Sequence, residues 1–386
     1  MERRRVYFDH TATTALAPGV FEAIAPYFTE RWLSPGALYR DARALKRDVD
    51  GARRRIAECL AAGPNDLVLT SSGTESINLA VRGVAQASQH RGRHLVTSLV
   101  EHRAVLDCCQ QLEKQGWRVT YLPVDGTGRV DLEALAAALD DETVLVSVML
   151  ANNEVGTIEP LAEVVRIVKA HSPAIPVQTD AVAAAGYLPL DVGALGVDLL
   201  SLSAHKVGGP LGAGLLWVRR GVLLQAQQLG GDQERGRRAG PENVPAIMGM
   251  AHAFEQALPA STDRSAQVKI LSQQLVDGVL ERVPGSVLTG HPVERLPHVA
   301  SFCFERVDGE ALLQQLDVQG ISAASGSACT SATLEPSHVL KAMGLPPLLA
   351  EGNLRLSLGP ENTADDVAYV LDVLPKLIDR ARALRR

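Results

Sequence analysis

Leu199-Leu-Ser-Leu-Ser-Ala-His-Lys-Val-Gly-Gly209 is a short apolar run that stops abruptly in polar residues and then in glycine. Leu199–Leu202 reads as a buried strand, and Ser203-Ala-His-Lys206 is what its carboxyl end delivers. Outward from it the same grammar repeats. Strands are expected at Leu67–Ser71, His94–Ser98, Val119–Leu122, Val144–Leu150, Val177–Thr179 and Gly214–Val218. Helical spacing lies between them at Glu75–Gln89, Arg103–Gln115, Leu132–Leu139 and Leu161–Ala170. Such alternation argues for an α/β fold on a mainly parallel sheet covered on both faces. Ligands in these folds sit beyond the carboxyl ends of the strands, so those ends are where chemistry is sought.

A chain of 386 residues exceeds a comfortable single core. After Ala260 the pattern changes to a strand at Val299–Phe304, a helix at Gly309–Val318, short strands at Ile321–Ala323 and Leu354–Leu358, and a helix begun near Thr363 with Asp366 as its capping partner. Residues 15–255 are therefore expected to form a large domain, and 1–14 with 256–386 a smaller α+β domain. The net charge of -6 gives no reason to expect nucleic-acid binding, and Arg53-Arg54-Arg55 reads as a solvated helix face. No apolar run approaches the ~20 residues of a membrane span and none resembles a signal peptide, so a cytoplasmic location is expected.

The five cysteines, 59, 108, 109, 303 and 329, contain no Cys-x-x-Cys pair. Neither a disulfide framework nor a metal cluster is expected. Cys108-Cys109 falls in a helical stretch and Cys303 in an apolar strand, where a thiol packs. Cys329 differs. It sits in Ser325-Gly-Ser-Ala-Cys-Thr-Ser331, a small-residue loop with little to bury, and reads as an exposed nucleophile.

Other strand ends carry Ser72-Gly-Thr-Glu-Ser76, Glu101-His102, Asn152-Asn153-Glu154 and Asp180. Each alone has an ordinary reading: a capping box, a helix start, a cap, a surface amine. Together they set a lysine, a carboxylate, an imidazole and a phosphate nest on one sheet edge, which is the set that pyridoxal phosphate requires. Lysine forms the Schiff base, an acid keeps the pyridine nitrogen protonated, an imidazole stacks on the ring, and hydroxyls with helix-terminal amides take the phosphate.

On these residues the sequence resembles the cysteine desulfurases of the NifS/IscS type. The resemblance covers nearly the whole chain. It runs through Phe8-Asp-His-Thr-Ala-Thr-Thr14, Ser72-Gly-Thr-Glu-Ser76, Glu101-His-Arg-Ala-Val-Leu-Asp107, Asn152-Asn-Glu-Val-Gly156 and Ser203-Ala-His-Lys206. It continues in Gly230-Gly-Asp-Gln-Glu-Arg235, Ser325-Gly-Ser-Ala-Cys-Thr-Ser331 and Arg355-Leu-Ser-Leu-Gly359. The resemblance implies the aspartate-aminotransferase type of fold, a homodimer with its sites near the interface, and conversion of L-cysteine to L-alanine with a persulfide left on Cys329 for an acceptor protein. It implies Lys206 as Schiff-base lysine and acid/base, His102 on the ring, Asp180 on the pyridine nitrogen and Asn153 on the ring oxygen. Gly73, Thr74, Ser203 and His205 would hold the phosphate, and Arg355 the substrate carboxylate.

Four positions depart from the family pattern. Ala183 stands for a usual Gln, Pro241 for a Thr of the partner's phosphate site, Ser34 for an Asn that helps bind substrate, and Arg40 for a His. Arg237 and Arg238, just before Pro241, are candidates to replace the lost phosphate contact. The nearest rival is another pyridoxal-phosphate carbon–sulfur or selenocysteine lyase, which would need no protein thiol. A non-catalytic scaffold is disfavoured by Lys206, Asp180, His102 and Cys329, and a nicotinamide dehydrogenase by the lack of a Gly-x-Gly-x-x-Gly after any strand. The acceptor stays open among an iron–sulfur cluster scaffold, tRNA thiolation, DNA phosphorothioation and a biosynthetic pathway.

Overall fold

The computed structural model describes residues 4–326 and 336–384. The strands in chain order are β1 (Val6–Tyr7), β2 (Leu67–Thr70), β3 (His94–Ser98), β4 (Arg118–Leu122), β5 (Thr143–Ser147), β6 (Val177–Asp180), β7 (Leu199–Ser203) and β8 (Gly214–Val218). They continue with β9 (Ser286–Leu288), β10 (Val299–Phe304), β11 (Ile321–Ser322) and β12 (Asn353–Ser357). Every residue of β5, β7 and β8 is buried, as expected of strands covered on both faces. The main sheet has the order β2-β8-β7-β6-β5-β3-β4. β8 runs antiparallel to both its neighbours, so β2, β3, β4, β5, β6 and β7 all point the same way. The expected α/β class and mainly parallel sheet are what is observed.

A second apolar cluster gathers Phe302, Phe304, Leu354 and Leu356 with Leu275, Val279, Leu374 and Ile378 from two long helices, Ser261–Arg282 and Ala364–Leu384. Val6 and Phe8 belong to it, because β1 pairs in parallel with β11 and Asp9 bridges Ser357. The last helix starts as the capping pair implies: Thr363 Oγ1 accepts from the Asp366 amide at 3.3 Å, and Asp366 returns the bond at 3.0 Å.

Three details differ from the sequence reading. β5 stops at Ser147, and Val148 and Leu150 instead donate backbone bonds to Gln178 and Asp180 while the chain bends away. β9 was not anticipated; its three half-exposed residues show no alternation to read. Arg53 is not part of a solvated face. It is buried and forms a two-pronged ion pair with Glu234, Nη1 donating to Oε2 at 2.9 Å and Nη2 to Oε1. Glu234, in the left-handed region at φ 49°, also accepts from the Leu69 amide at 3.0 Å, which ties the 234–238 loop to β2.

One glycine sets the spacing at the functional edge. A Cβ on Gly214 of β8 would stand 2.4 Å from the Ser72 carbonyl carbon, so only a bare backbone lets β2's exit pass so close. Gly214→Ala should displace Ser72 and the helix it caps and cost about 1–3 kcal/mol through overpacking. The checks are the urea midpoint and the rate of cofactor loss on dialysis. Both should worsen, and an unchanged cofactor off-rate would show that the edge tolerates the shift.

Candidate active site

Each strand end hands a polar group to the same place. β2 leads to Ser72, which caps the Gly73–Ser88 helix by accepting from the Glu75 amide at 3.1 Å. Glu75 turns back to accept from the Ser71 amide at 2.7 Å and from Arg238 Nε at 2.7 Å. The helix presents its first-turn N–H groups and the positive end of its dipole here. Gly73 makes the approach possible, since a Cβ would meet Val182 Cγ2 at 2.7 Å.

Beyond β3, His102 caps the Arg103–Glu113 helix, its Nδ1 accepting from the Ala104 amide at 3.1 Å. In the neutral ring that leaves the proton on Nε2. β6 ends in Asp180, which is buried and accepts from the Val182 amide at 2.9 Å. Burial raises its pKa, opposed by the charges of His102 and Lys206. The turn after β5 brings Asn153, whose carbonyl accepts from Arg355 Nη1 at 3.0 Å. Arg355 Nη2 pairs with Asp9 at 2.9 Å, while its buried Nε has no partner among the described residues.

β7 delivers Ser203 and then Ala204–Lys206 as a single tight turn. Burial and then the adjacent Lys206 hold His205 down to about 4, so its ring is neutral at ordinary pH. Lys206 Nζ donates to the carbonyls of Thr11 and Ala12, the latter at 2.8 Å. Thr14 locks the same turn, its Oγ1 donating to the His205 carbonyl at 2.9 Å and accepting from the Gly208 amide at 2.8 Å.

Gly73, Thr74, His102, Asn153, Asp180, Ser203, His205, Lys206 and Arg355 all line one cavity of about 390 Å³. Cys329 lies outside the described residues, but Gly326, three positions earlier, is on the cavity wall. The cavity also holds groups that sequence reasoning missed. Thr11 and Ala12 act through backbone carbonyls, which no side-chain pattern encodes. Thr14, which does not line the cavity but holds its lysine turn, could have been suspected from its place in a polar motif without helical or strand period.

These residues fit pyridoxal phosphate. Ser203 Oγ and Thr11 Oγ1 are buried, both residues line the cavity, and neither atom has a partner among the described residues. A helix N-terminus with a glycine suits a phosphate, and the buried Asp180 suits a protonated ring nitrogen. Of the four departures, Ala183 lines this cavity and offers only a methyl. Pro241 and Arg238 line a separate one beside Thr70 and Ser71. Arg237 donates to the carbonyls of Leu67, Asn65 and Glu234, and Arg238 to the Glu75 carboxylate.

The described thiols are poor nucleophiles. Burial raises Cys59 and Cys108 to about 11 and Cys303 to about 12, and Cys109 further still. Beneath the cavity lies Glu101, fully buried. One oxygen accepts from Ser98 Oγ at 2.8 Å and the Met149 amide at 2.9 Å, and the other has no partner among the described residues. Desolvation raises its carboxyl to about 8.

Residues 6–370 match the model of the family described as aminotransferase class-V. The chain is 45% identical over 381 residues to the cysteine desulfurase IscS of Methanosarcina thermophila, covering 99% of this chain and 94% of that protein. Among solved structures it superposes on a NifS-like protein with a TM-score of 0.92 at 36% identity, over 98% of this chain and all of that one. It also superposes on SspA in complex with cysteine, with a TM-score of 0.82 at 32% identity, over 92% and 99% of the two chains.

Glu101 makes stability depend on pH. Its carboxyl is raised from the ordinary 4.5 to about 8 in the folded state, so between those values the folded chain binds the proton and the unfolded chain does not. The stability this contributes is complete below about 4.5 and is lost as pH rises through about 8. Glu101→Gln, which mimics the neutral acid, should therefore gain on the parent by up to about 1.4 kcal/mol per pH unit within that window. Urea unfolding of both proteins from pH 5.5 to 8.5 measures it; parallel curves would mean that Glu101 is ionised throughout.

Proposed function

The chain belongs to the class-V aminotransferase family and is a pyridoxal-phosphate-dependent cysteine desulfurase, and we propose how its residues divide that reaction. The observation that carries the assignment is the convergence of Lys206, Asp180, His102 and the Gly73 helix terminus on one cavity. When bound, pyridoxal phosphate supplies an electron sink conjugated to the substrate nitrogen. Lys206 would hold the cofactor aldehyde and would serve as the base for the Cα proton of L-cysteine. Asp180, buried, would keep a proton on the ring nitrogen. His102 would lie against the ring, and Asn153 would serve the ring oxygen. Gly73, Thr74, Ser203 and His205 would hold the phosphate. Arg355, which lines the cavity and whose Nε has no partner among the described residues, would receive the substrate carboxylate.

Cys329 takes the sulfur. Its thiolate attacks the substrate sulfur, an S–S bond forms as the C–S bond breaks, and the electron pair returns to the carbon skeleton, which leaves as L-alanine after protonation. The raised pKa values of the other four thiols support this choice over any of them.

The remaining readings rest on less. The division into a large domain (15–255) and a small one (1–14 with 256–386) is supported by Val6 and Phe8 packing with the late elements. Phe254 and Ala257 pack with the main sheet, whereas Val268 joins the second cluster. A homodimer is supported by Phe21, Phe28, Trp32, Leu38, Leu211 and Leu229, all exposed large apolar side chains from two chain segments. The persulfide goes to an acceptor protein. No helix among the described residues is long and apolar enough to cross a membrane, and we place the enzyme in the cytoplasm.

Two experiments test the roles. Borohydride reduction of the yellow holoenzyme followed by peptide mapping should mark Lys206, and a label on another lysine removes it from the centre. Cys329→Ser should keep the cofactor and its spectral response to cysteine while alanine formation falls by roughly 10³-fold. Full alanine output from that variant would mean that elimination, not thiolate attack, releases the sulfur.

A further inference from the structure

Four successive residues near the start of the chain grip the two residues that end the β7 turn. The carbonyls of Thr11 and Ala12 accept from Lys206 Nζ. Thr13 and Thr14 take His205 instead. The Thr14 amide and hydroxyl both donate to the His205 carbonyl, at 3.0 and 2.9 Å. Thr13 Oγ1 meets the imidazole, 3.2 Å from Nδ1, and this is the ring's one hydrogen bond among the described residues. Thr13 is itself held in place: its carbonyl accepts from Tyr7 Oη at 2.9 Å, and its amide donates to the Asp9 carbonyl at 3.4 Å.

A neutral imidazole has one N–H and one bare nitrogen, and the hydrogen bond made at either nitrogen decides which is which. His205 is neutral at ordinary pH, because burial and then the adjacent Lys206 disfavour its charge. It lines the cofactor cavity, whereas Thr13 does not. With Nδ1 engaged by Thr13, Nε2 is the ring nitrogen left for a ligand. Were the proton on Nδ1, the Thr13 hydroxyl would accept it. The hydroxyl's own proton would then have no acceptor among the described residues, and Nε2 would offer a phosphate only a lone pair. With the hydroxyl as donor, both protons are used and Nε2–H becomes a donor to an anion.

We infer that Thr13 is a positioning residue for the cofactor phosphate: its hydroxyl donates to His205 Nδ1 and so keeps the ring proton on Nε2, where a phosphate oxygen can accept it. The inference rests on the reading of His205 as a phosphate ligand. Thr14 and the rest of the turn fix the backbone of His205, but no other described residue sets its tautomer. Removing the hydroxyl therefore leaves Lys206 where it is and weakens a hydrogen bond to a charged acceptor. That loss should loosen the hold on phosphate about tenfold. The consequence falls on ligands that carry a phosphate and spares those that do not.

The test uses the holoenzyme with its Thr13→Val, Thr13→Ser and His205→Ala variants, and two probes. These are pyridoxal phosphate and pyridoxal, which keeps the aldehyde and ring but has no phosphate; both are followed by their Schiff-base absorbance. Nitrogen NMR of histidine-labelled holoenzyme reads the ring proton of His205, its signals assigned by their loss in His205→Ala. The unaltered enzyme should show the proton on Nε2. Thr13→Val, which keeps the shape and loses the hydroxyl, should release pyridoxal phosphate about tenfold faster yet hold pyridoxal within about twofold of the parent. Thr13→Ser should restore the parent off-rate. A ring proton on Nδ1 alone, or on both nitrogens, overturns the inference, and that measurement stands even if Thr13→Val does not fold. An unchanged pyridoxal phosphate off-rate in Thr13→Val overturns it too. So does equal loss of the two probes, which would put the effect of Thr13 on the Lys206 turn. His205→Ala separates the two readings: if it releases pyridoxal phosphate faster while Thr13→Val does not, only the role of Thr13 falls. If it releases pyridoxal phosphate no faster than the parent, both fall together.

Discussion

The common direction of β2, β3, β5, β6 and β7 is the constraint on which the site depends. A sheet covered on both faces favours apolar side chains, and β5, β6 and β7 are buried end to end. The ionisable groups of the site stand where strands run out. Because these strands run out on one edge, Asp180, Lys206, His102 and the Gly73 helix terminus meet, though long stretches of chain separate them. The reversed β8 belongs to the same logic. It fills the place between β7 and β2 without a crossover helix, and its Gly214 leaves room for the Ser72 turn.

Charge is sorted along that edge. Two acids lie on this side, Asp180 in the cavity wall and Glu101 buried next to His102, and burial pushes both up. The Gly73 helix terminus and Ser203 form another part of the wall, with donors and no carboxylate turned to them. A cofactor with a cationic ring nitrogen and an anionic phosphate has one favourable orientation in such a field. Lys206 donates meanwhile to two backbone carbonyls, an arrangement that restrains the amine.

Much of this was legible in the sequence because it is local. Strands with continuous apolar runs, polar residues at their ends, the Thr363–Asp366 cap and the small-residue loop around Cys329 each show within a few positions. What was not legible is long-range pairing. Arg53 looks like one of three surface arginines, and only the distant Glu234, folded beside it, makes it internal. Thr11 and Ala12 contribute carbonyls, which every residue owns. Glu101 and Glu154 read as ordinary strand-end carboxylates, since neither their desolvation nor Ser337 is visible from their neighbours. Resemblance to a family assigned roles to the cavity residues, yet it was silent on these supports.

The pairing of β1 with β11, and of Asp9 with Arg355 across 346 positions, also orders events during synthesis. The main sheet and its lysine can assemble once β8 has emerged, because all its strands are then present. Asp9 and Arg355 cannot: the first residues of the chain reach their place only after nearly the last strand is made. A nascent chain therefore carries Lys206 on a formed sheet before Arg355 can take its place in the cavity wall, and the cavity is completed only by the last elements.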